Sequence, residues 1–333
     1  MNFKHSNGEK SMPKISKSAV FNAAKISAGC AAAIVISTLL GVKYSATAGL
    51  ITVLSIQNTK KETAEIAVKR LISFITAIIT SFISFRFLGY TTTAFAIYLF
   101  VFILICGLFR AQSAIVPVSV LIAHILSEKQ FSIQIVINEF LLLFIGAGTG
   151  FLLNLYLHRD TKKMAEYRTA VDDEIKAIIG RMADRVLVSD KSDYTGDCFR
   201  RLDGYMKSAR ELAVLNRQNT LINNDNYDLL YLDMRQKQCT ILYEMYKSVK
   251  EMDSTPEQAH ILSELLKKIK DEYHEYNNVS RLLEETNKVI TEMKDQKMPE
   301  SREEFENRAS LYNLMIRTRE FLTIKKMFME NNK

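Results

Sequence analysis

One stretch of the chain, residues 19–157, constrains the fold most, because long apolar runs follow one another there with only isolated charges between them. Five runs contain no Asp, Glu, Lys or Arg, namely residues 26–42, 44–59, 71–85, 87–109 and 111–127, and a sixth, 131–157, contains the single acid Glu139. A helix needs about 20 apolar residues, or about 17 where neighbours help, to cross the hydrocarbon core of a bilayer. The pattern predicts an all-α domain of six membrane-spanning helices, or of five with one re-entrant piece, since three runs are short.

The same residues argue against a water-soluble fold, because six nearly uncharged helices in succession offer hardly any polar face to water. The net charge of +7 is also unevenly distributed. Residues 1–159 contain 14 Lys and Arg against 5 Asp and Glu, whereas residues 160–333 contain 30 against 32. Nucleic acid is therefore not expected as a partner, since the second half lacks both a basic surplus and zinc-ligand spacing. The expected partner of the first half is the lipid bilayer.

The basic residues predict the orientation, because short cytoplasmic loops of membrane proteins collect Lys and Arg. The segments before the first run and after every second run hold Lys4, Lys10, Lys14, Lys17, Lys60, Lys61, Lys69, Arg70, Arg110, Arg159, Lys162, Lys163 and Arg168. The alternate connections hold only Lys43, Arg86 and Lys129. A multi-pass protein of the cell membrane with both termini cytoplasmic is predicted, with residues 1–18 as a tail and 19–158 as the transmembrane domain.

Two ionisable residues inside the predicted helices are candidates for function. Lys25 lies about six residues into the first helix, which is predicted to start at residue 19, and its long side chain can either reach the headgroups or face a polar cavity. Glu139 lies nine residues beyond Gln130, or about 13 Å along a helix. A carboxyl at that depth must be paired, protonated or exposed to water. It is either a functional group or one half of a structural hydrogen bond to Asn or His.

The second half of the chain has a different composition, with long charged segments that carry apolar stripes at helical spacing. The first of four such stripes consists of Ile175, Ile178, Ile179, Met182 and Val186. Turn-rich segments at 189–196 and 223–226 separate them, and Pro256 and Pro299 are each expected at the first position of a helix. The pattern predicts five or six helices in an antiparallel bundle over residues 159–333.

Three segments of the first half resemble the aromatic acid exporter family, relatives of the fusaric acid resistance proteins. Residues 48–61 read AGLITVLSIQNTKK and are followed by Arg70; residues 117–124 read PVSVLIAH; residues 138–146 begin NEF, and the run ends in NLYL at 154–157. Family members often have Pro after the last segment, where this chain has His158. The missing helix stop would allow the sixth helix to continue. The second half resembles, more weakly, the helical C-terminal domain of Gram-positive members.

The resemblance implies an exporter of small aromatic carboxylic acids, with the proton gradient as the candidate energy source. Such a substrate needs cationic or amide groups for its carboxylate and an apolar wall for its ring. Lys25, Gln57, Asn58 and Arg110 are the candidate substrate-binding residues. Glu139 and His124 are the candidate proton carriers. Arg110 also lies in a tight turn, where the orientation rule alone accounts for its charge.

A second hypothesis is a non-transporting membrane sensor or scaffold, in which the helices hold the bundle against the membrane. The large second half motivates it. Six short spans are few for a complete transport pathway, so a homo-oligomer is expected. The chain has no phosphate-binding loop of the type GxxxxGK[ST] and no HExxH or GxSxG motif, so an enzyme is not expected. Its four cysteines have no CxxC spacing, which argues against disulfides, metal sites and cofactors.

Overall fold

The computed structural model describes residues 17–157, 159–220, 226–252, 258–277, 279–295 and 297–332. Their regular structure is entirely helical: α1 Lys17–Leu39, α2 Ser45–Ser55, α3 Lys60–Leu88, α4 Thr92–Leu108, α5 Gln112–Glu128, α6 Ile133–Asn154, α7 Thr161–Arg185, α8 Asp197–Gln218, α9 Tyr227–Glu251, α10 Ala259–Glu272, α11 Ser280–Lys294 and α12 Arg302–Asn331. The described residues do not include residues 1–16 of the predicted tail, His158, most of the predicted turn at 223–226 or the predicted helix start at Pro256. Residues 17 and 18, which belong to the predicted tail 1–18, form the start of α1.

The chain divides into two compact units. The first runs up to His158 and includes Gln218–Leu221, and the second consists of Arg159–Arg217 and Ile222–Lys333. We call the part that contains α1–α6 the apolar unit and the part that contains α7–α12 the bundle unit.

Each of the six apolar runs forms one helix of the apolar unit. Three segments are long and apolar enough to cross a membrane, namely Val20–Leu39, Lys60–Leu88 and Ile133–Asn154. Three shorter apolar helices, Ser45–Ser55, Thr92–Leu108 and Gln112–Glu128, accompany them. Large apolar side chains are exposed along these helices, including Ile72, Ile75 and Phe100. The protein is therefore a helical membrane protein.

Several helices begin at a side chain that caps their first turn. The side-chain oxygens of Thr59, Thr91 and Ser132 accept hydrogen bonds from the backbone amides of Glu62, Ala94 and Ile135, respectively. Each bond satisfies a first-turn amide that has no acceptor within its helix, and this fixes the starts of α3, α4 and α6. In the bundle unit Ser301 caps α12 in the same way. The prediction that Pro299 opens this helix is therefore wrong. The Ser301 hydroxyl accepts a hydrogen bond from the Glu304 amide, and the helix begins at Arg302, three residues after Pro299.

Two glycines allow α6 to lie directly against α2, and the two helices run in the same direction. A Cβ atom on Gly146 would come within 2.7 Å of the Ala48 carbonyl oxygen, and one on Gly150 within 2.7 Å of the Ser55 Cβ. The Thr52 hydroxyl donates to the Gly146 carbonyl at 3.0 Å across this contact. The glycines of α6 therefore serve helix packing, as is common between membrane helices.

The sixth helix ends at Asn154, so the expectation that it continues past residue 157 is wrong. The Asn154 side-chain amide donates to the Gln57 carbonyl oxygen at 2.7 Å and to the Thr63 hydroxyl at 2.6 Å. These bonds join the end of α6 to the turn between α2 and α3. Residues 155–157 form a turn instead of a further helical turn.

The bundle unit is built from α7–α12 around one apolar core. Hydrogen bonds and ion pairs show that α9 runs antiparallel to α12, with Gln238 against Phe321 and Glu244 against Arg317. The α7 helix packs on α9 and α10, and α11 packs on α12. All five residues of the first predicted stripe are buried. Each helix contributes one apolar face, as predicted for an amphipathic bundle.

A polar cluster is buried inside this bundle. Arg235 is fully buried and forms an ion pair with Asp172 at 2.7 Å. Its guanidinium also donates to the hydroxyls of Tyr231 and Tyr273 and to Gln238 Oε1. A second fully buried cation, Lys325, donates to the His274 carbonyl oxygen and lies 4.1 Å from the centre of the Tyr273 ring. Among the residues described, this cluster thus contains two basic side chains and one carboxylate. We name Arg235, Asp172 and Lys325, with the two tyrosines, the buried charge cluster.

Candidate functional site

The most deeply enclosed ionisable group of the apolar unit is Glu139, which α6 carries two turns from its start. It has no exposed surface, and its Oε2 lies 2.7 Å from Nδ1 of His124 on α5. Since α6 begins at Ile133, Glu139 is about 9 Å along the helix, less deep than the sequence alone predicts. The distance between the carboxylate and the imidazole is that of a charge-assisted hydrogen bond. Two candidate residues predicted from sequence thus form one pair.

The pair is held by neighbours on α2, on α6 and in the turn before α2. The Asn138 side-chain amide donates to Glu139 Oε1 at 3.1 Å. On the far side of the imidazole, His124 Nε2 lies 3.4 Å from the hydroxyl of Thr47 on α2, and the Tyr44 ring stacks on the imidazole at 4.0 Å. Both imidazole nitrogens and both carboxylate oxygens of the pair therefore have a polar neighbour. If a proton moves between the Glu139 carboxylate and the His124 imidazole, each side chain keeps at least one polar neighbour.

An exposed rim adjoins this pair at the same end of the apolar unit. The Lys43 ammonium and the Tyr44 hydroxyl each lie 3.0 Å from Oε1 of Glu128, the last residue of α5. The Lys43 backbone amide donates to Asn138 Oδ1 at 2.7 Å, and its carbonyl accepts from Asn138 Nδ2 at 3.2 Å. Asn138 therefore binds both backbone polar groups of Lys43 and the buried Glu139 carboxylate at once. The turn between α1 and α2 is fastened to α5 and α6.

The sequence leaves a structural and a functional interpretation of Glu139 open, and the geometry is compatible with both. The hydrogen bonds that the structural interpretation requires, to Asn and to His, are both present. The functional interpretation requires a second proton-carrying side chain next to Glu139, and the His124 imidazole is in contact with it. The arrangement allows proton exchange, and it also ties α5 to α6.

A second buried polar group lies at the opposite end of the apolar unit. Arg70 on α3 is 2% exposed, and its guanidinium donates to the Ser55 hydroxyl at 2.5 Å and to the Leu54 carbonyl oxygen at 2.8 Å. No carboxylate pairs with Arg70 within the described part of this unit. The carbonyl groups at the end of α2 carry partial negative charge, which stabilises the guanidinium. Arg70 thus joins the end of α2 to α3.

The four predicted substrate-binding residues share the end of the unit where α1, α3 and α5 begin. Lys25 is half-buried on α1, Gln57 is half-buried, and Asn58 and Arg110 are exposed in the turns that follow α2 and α4. The Gln57 amide donates to the Leu54 carbonyl oxygen at 3.2 Å. No hydrogen bond or ion pair connects any two of the four described side chains. The structure brings them to one end but not to one cluster.

Sequence reasoning did not select Arg70, Asn138 and Tyr44 as site residues. Arg70 and Asn138 both lie within the segments that carry the family resemblance, and that position was the available signal. Tyr44 has a left-handed backbone, with φ of 61°, which no sequence pattern indicates for a bulky residue. No group of three or more metal-ligating side chains occurs among the residues described.

Apolar helices that enclose a carboxylate and an imidazole define this protein as an integral membrane protein with a buried ionisable site. A family model described as aromatic acid exporter family member 1 matches residues 19–157. A second, described as the aromatic acid exporter C-terminal domain, matches residues 161–326. The chain belongs to the aromatic acid exporter family. This confirms the resemblance found in the sequence.

Two individual proteins are similar to the chain. The uncharacterized protein YqjA of Bacillus subtilis (strain 168) is 29% identical over 304 residues, which are 91% of this chain and 94% of that protein. A crystal structure from Clostridium difficile 630, described as that of a membrane protein, is 30% identical and covers 50% of this chain and 99% of its own, with a TM-score of 0.45.

Proposed function

We propose that this protein is a multi-pass transporter of the cell membrane that exports small aromatic carboxylic acids from the cytosol, driven by the proton gradient. The family supports transport, and the observation that carries the proton coupling is the buried pair of Glu139 and His124. Burying an isolated charge among apolar helices costs free energy, so a buried acid needs a hydrogen-bonding partner and often has a functional role. The carboxylate and the imidazole lie 2.7 Å apart, and both are side chains of the kind that carry protons in membrane transporters.

The proposed topology has six passages, both termini in the cytosol, and the bundle unit on the cytoplasmic side. The charge distribution of the connections supports this orientation. The α2 helix has 11 residues and a length of about 16 Å, half of the roughly 30 Å of the hydrocarbon core. It is therefore a half-length passage whose ends are completed by protein, namely Asn138 at one end and Arg70 at the other. A polar break of this kind is tolerated only where protein or water satisfies the backbone.

In this proposal the substrate and the proton are handled at opposite ends of the apolar unit. Lys25, Gln57, Asn58 and Arg110 lie at the end that the orientation places in the cytosol, where they attract the carboxylate of the acid to be exported. Glu139 and His124 lie toward the other end, where protons enter from outside. Several copies of the chain assemble to enclose the pathway, because α2, α4 and α5 are short.

The proton role is tested by substitution of Glu139→Gln, which keeps the shape and removes the titratable group. We expect purified wild-type protein in proteoliposomes to move labelled 4-hydroxybenzoate when a pH gradient is imposed, and the variant to match empty vesicles. The control is Glu62→Gln, which removes an acid from an exposed position of α3 and should leave transport unchanged. Equal transport by the Glu139 variant and the wild type would reject the proton role.

The bundle unit, which has an apolar core of its own, favours the scaffold as the second candidate function. Cells that lack an exporter retain more labelled aromatic acid, whereas cells that lack a scaffold retain the usual amount. A chain truncated after Arg159 separates the two further. An exporter that uses the bundle only for regulation keeps some transport, but a scaffold without its bundle has no activity.

A further inference from the structure

A small cavity opens between α3, α4 and the turn that follows α4. Its volume is about 250 Å³, and its lining includes Lys69, Ile72, Ser73, Phe102, Cys106 and Phe109. These residues lie at the end of the apolar unit where α3 begins and α4 ends. The cavity is separate from the Glu139 and His124 pair, which is at the opposite end.

The lining combines an apolar wall with one cation. Phe102 is fully buried, and Ile72 and Phe109 stand at the exposed edge. Aromatic rings prefer to pack against other aromatic rings in offset or edge-on contacts. Lys69 is one-third exposed and forms an ion pair at 2.8 Å with Glu65, a more exposed residue one turn earlier on α3. An exposed pair of this type contributes about 0–1 kcal/mol, so another carboxylate can replace Glu65 at little cost.

Polar groups inside the cavity are few. Ser73 is 6% exposed and lines the cavity together with Cys106. Arg110, a predicted substrate-binding residue, lies between Phe109 and Ala111, both of which line the cavity. It is exposed and supplies a second cation near the opening. The composition suits a ligand with one flat apolar ring and one negative group.

We infer that this cavity is the binding site for a single aromatic carboxylate, with the ring against Phe102 and Phe109 and the carboxylate on Lys69. The inference rests on the proposed function and gives its substrate a place. A volume of about 250 Å³ lies just below the usual range for drug-sized ligands and suits a one-ring acid. The occupant that competes with this proposal is a lipid acyl chain, which would fill the apolar part and ignore the cation.

The test measures equilibrium binding of labelled 4-hydroxybenzoate to the full-length protein in detergent. Lys69→Gln should raise the Kd about tenfold, and Lys61→Gln, an exposed residue of α3 outside the lining, should leave it unchanged. Thr76→Trp, which fills the cavity from its lining, should abolish binding. Ile75→Trp changes the neighbouring residue, which is 61% exposed and outside the lining, and should bind as the wild type does. Far-UV circular dichroism checks that each variant is folded.

A second measurement follows the Cys106 thiol, which lines the cavity. Reaction with methyl methanethiosulfonate, resolved by residue with mass spectrometry, should slow at least about fivefold at saturating 4-hydroxybenzoate. Cys30 lies on α1 outside the lining and should react at an unchanged rate. The uncharged 4-hydroxybenzyl alcohol should protect weakly, because it has no carboxylate for Lys69. Equal protection by the alcohol would indicate an apolar groove for lipid and overturn the inference.

The outcomes separate this inference from the proposed function. Wild-type protein that exports the acid while Lys69→Gln and Thr76→Trp bind it normally would overturn the cavity as the site and leave the exporter standing. Wild-type protein that neither binds nor exports aromatic acids would overturn both.

Discussion

At the scale of single residues, the buried charge cluster has more positive than negative charge. Arg235 and Lys325 are both fully buried, and Asp172 is the carboxylate that faces Arg235. Burial, followed by repulsion from Arg235, lowers the pKa of Lys325 from 10.5 to about 7. The bundle unit therefore contains an amine that releases its proton near neutral pH.

This pKa predicts a pH-dependent stability. In the unfolded chain Lys325 keeps its proton up to about pH 10.5, but in the folded chain only up to about pH 7. Between these values the unfolded state binds more protons, so folding becomes more stable as the pH rises, by up to about 1.4 kcal/mol per pH unit. Below pH 7 both states are protonated, and this gain is absent. Lys325→Met should remove the dependence.

The measurement is denaturant unfolding of the full-length protein in detergent, followed by circular dichroism at pH 7 and pH 9. The wild type should gain about 2 kcal/mol more than the Lys325→Met variant over this interval. Parallel behaviour of the two proteins would contradict the lowered pKa.

Asp172 is predicted to be the residue on which the buried charge cluster depends. Asp172→Asn removes the carboxylate from Arg235 and leaves a buried cation without a counter-charge, which should cost about 3–5 kcal/mol of stability. Asp173→Asn changes the adjacent residue, whose side chain is 64% exposed, and should alter stability by no more than about 0.5 kcal/mol. The same unfolding experiment compares the two. A small effect at Asp172 would mean that the tyrosine hydroxyls and Gln238 alone satisfy Arg235.

At this scale, a buried ionisable residue can be predicted from the sequence only where its chemistry differs from that of its neighbours along the chain. Glu139 is visible because it stands alone in an apolar run. Arg235 and Lys325 lie in helices full of charges, so nothing in the pattern distinguishes them from solvated residues. The pattern does not predict the burial of Arg70 for a related reason, because Arg70 follows Lys69 in a polar segment that is typical of the membrane interface. Burial of such groups depends on which helix faces them, which spacing alone does not contain.

At the scale of elements, the contact between α2 and α6 depends on the absence of side chains at two positions. Gly146→Ala places a Cβ atom 2.7 Å from the Ala48 carbonyl oxygen, which belongs to backbone and cannot rotate away. We expect the thermal unfolding temperature to fall and transport to be impaired. Gly148→Ala meets nothing within 4 Å and should instead be neutral or stabilise by up to about 1 kcal/mol. Equal effects of the two substitutions would show that helix propensity, and not packing, governs this helix.

The six helices of the apolar unit and the helical nature of the bundle unit could be predicted from periodicity and charge. The lengths of the elements could not. The polar segment from Lys60 to Arg70 belongs to one 29-residue helix, α3, because Thr59 caps it and leaves no reason for a break. In contrast, α6 ends early because Asn154 bonds to the turn after α2. Ends that are fixed by contacts with another helix are invisible in a local pattern.

At the scale of the whole molecule, the change in composition near residue 159 coincides with the division into the two units. The functional site is harder to predict from the sequence pattern than the division into units. The sequence marks His124 and Glu139 by their chemistry and offers Glu139 a hydrogen bond to an Asn or a His, but the particular contact between the two follows from the packing of α5 on α6. The cavity beside Lys69 was not predicted at all, because its walls come from α3, α4 and the turn that follows. The sequence identifies unusual residues, but a site can be assigned only when it is known which of these residues are in contact in the folded protein.

The double hydrogen bond between Lys43 and Asn138 joins residues that are 95 positions apart. The ribosome therefore completes α2 long before its fastening partner is made. A helix of 11 residues has too little apolar length to hold a place in the hydrocarbon by itself. Biogenesis should consequently include a waiting stage, in which the first hairpin stays near the translocon or at the lipid surface until α6 emerges and draws it in.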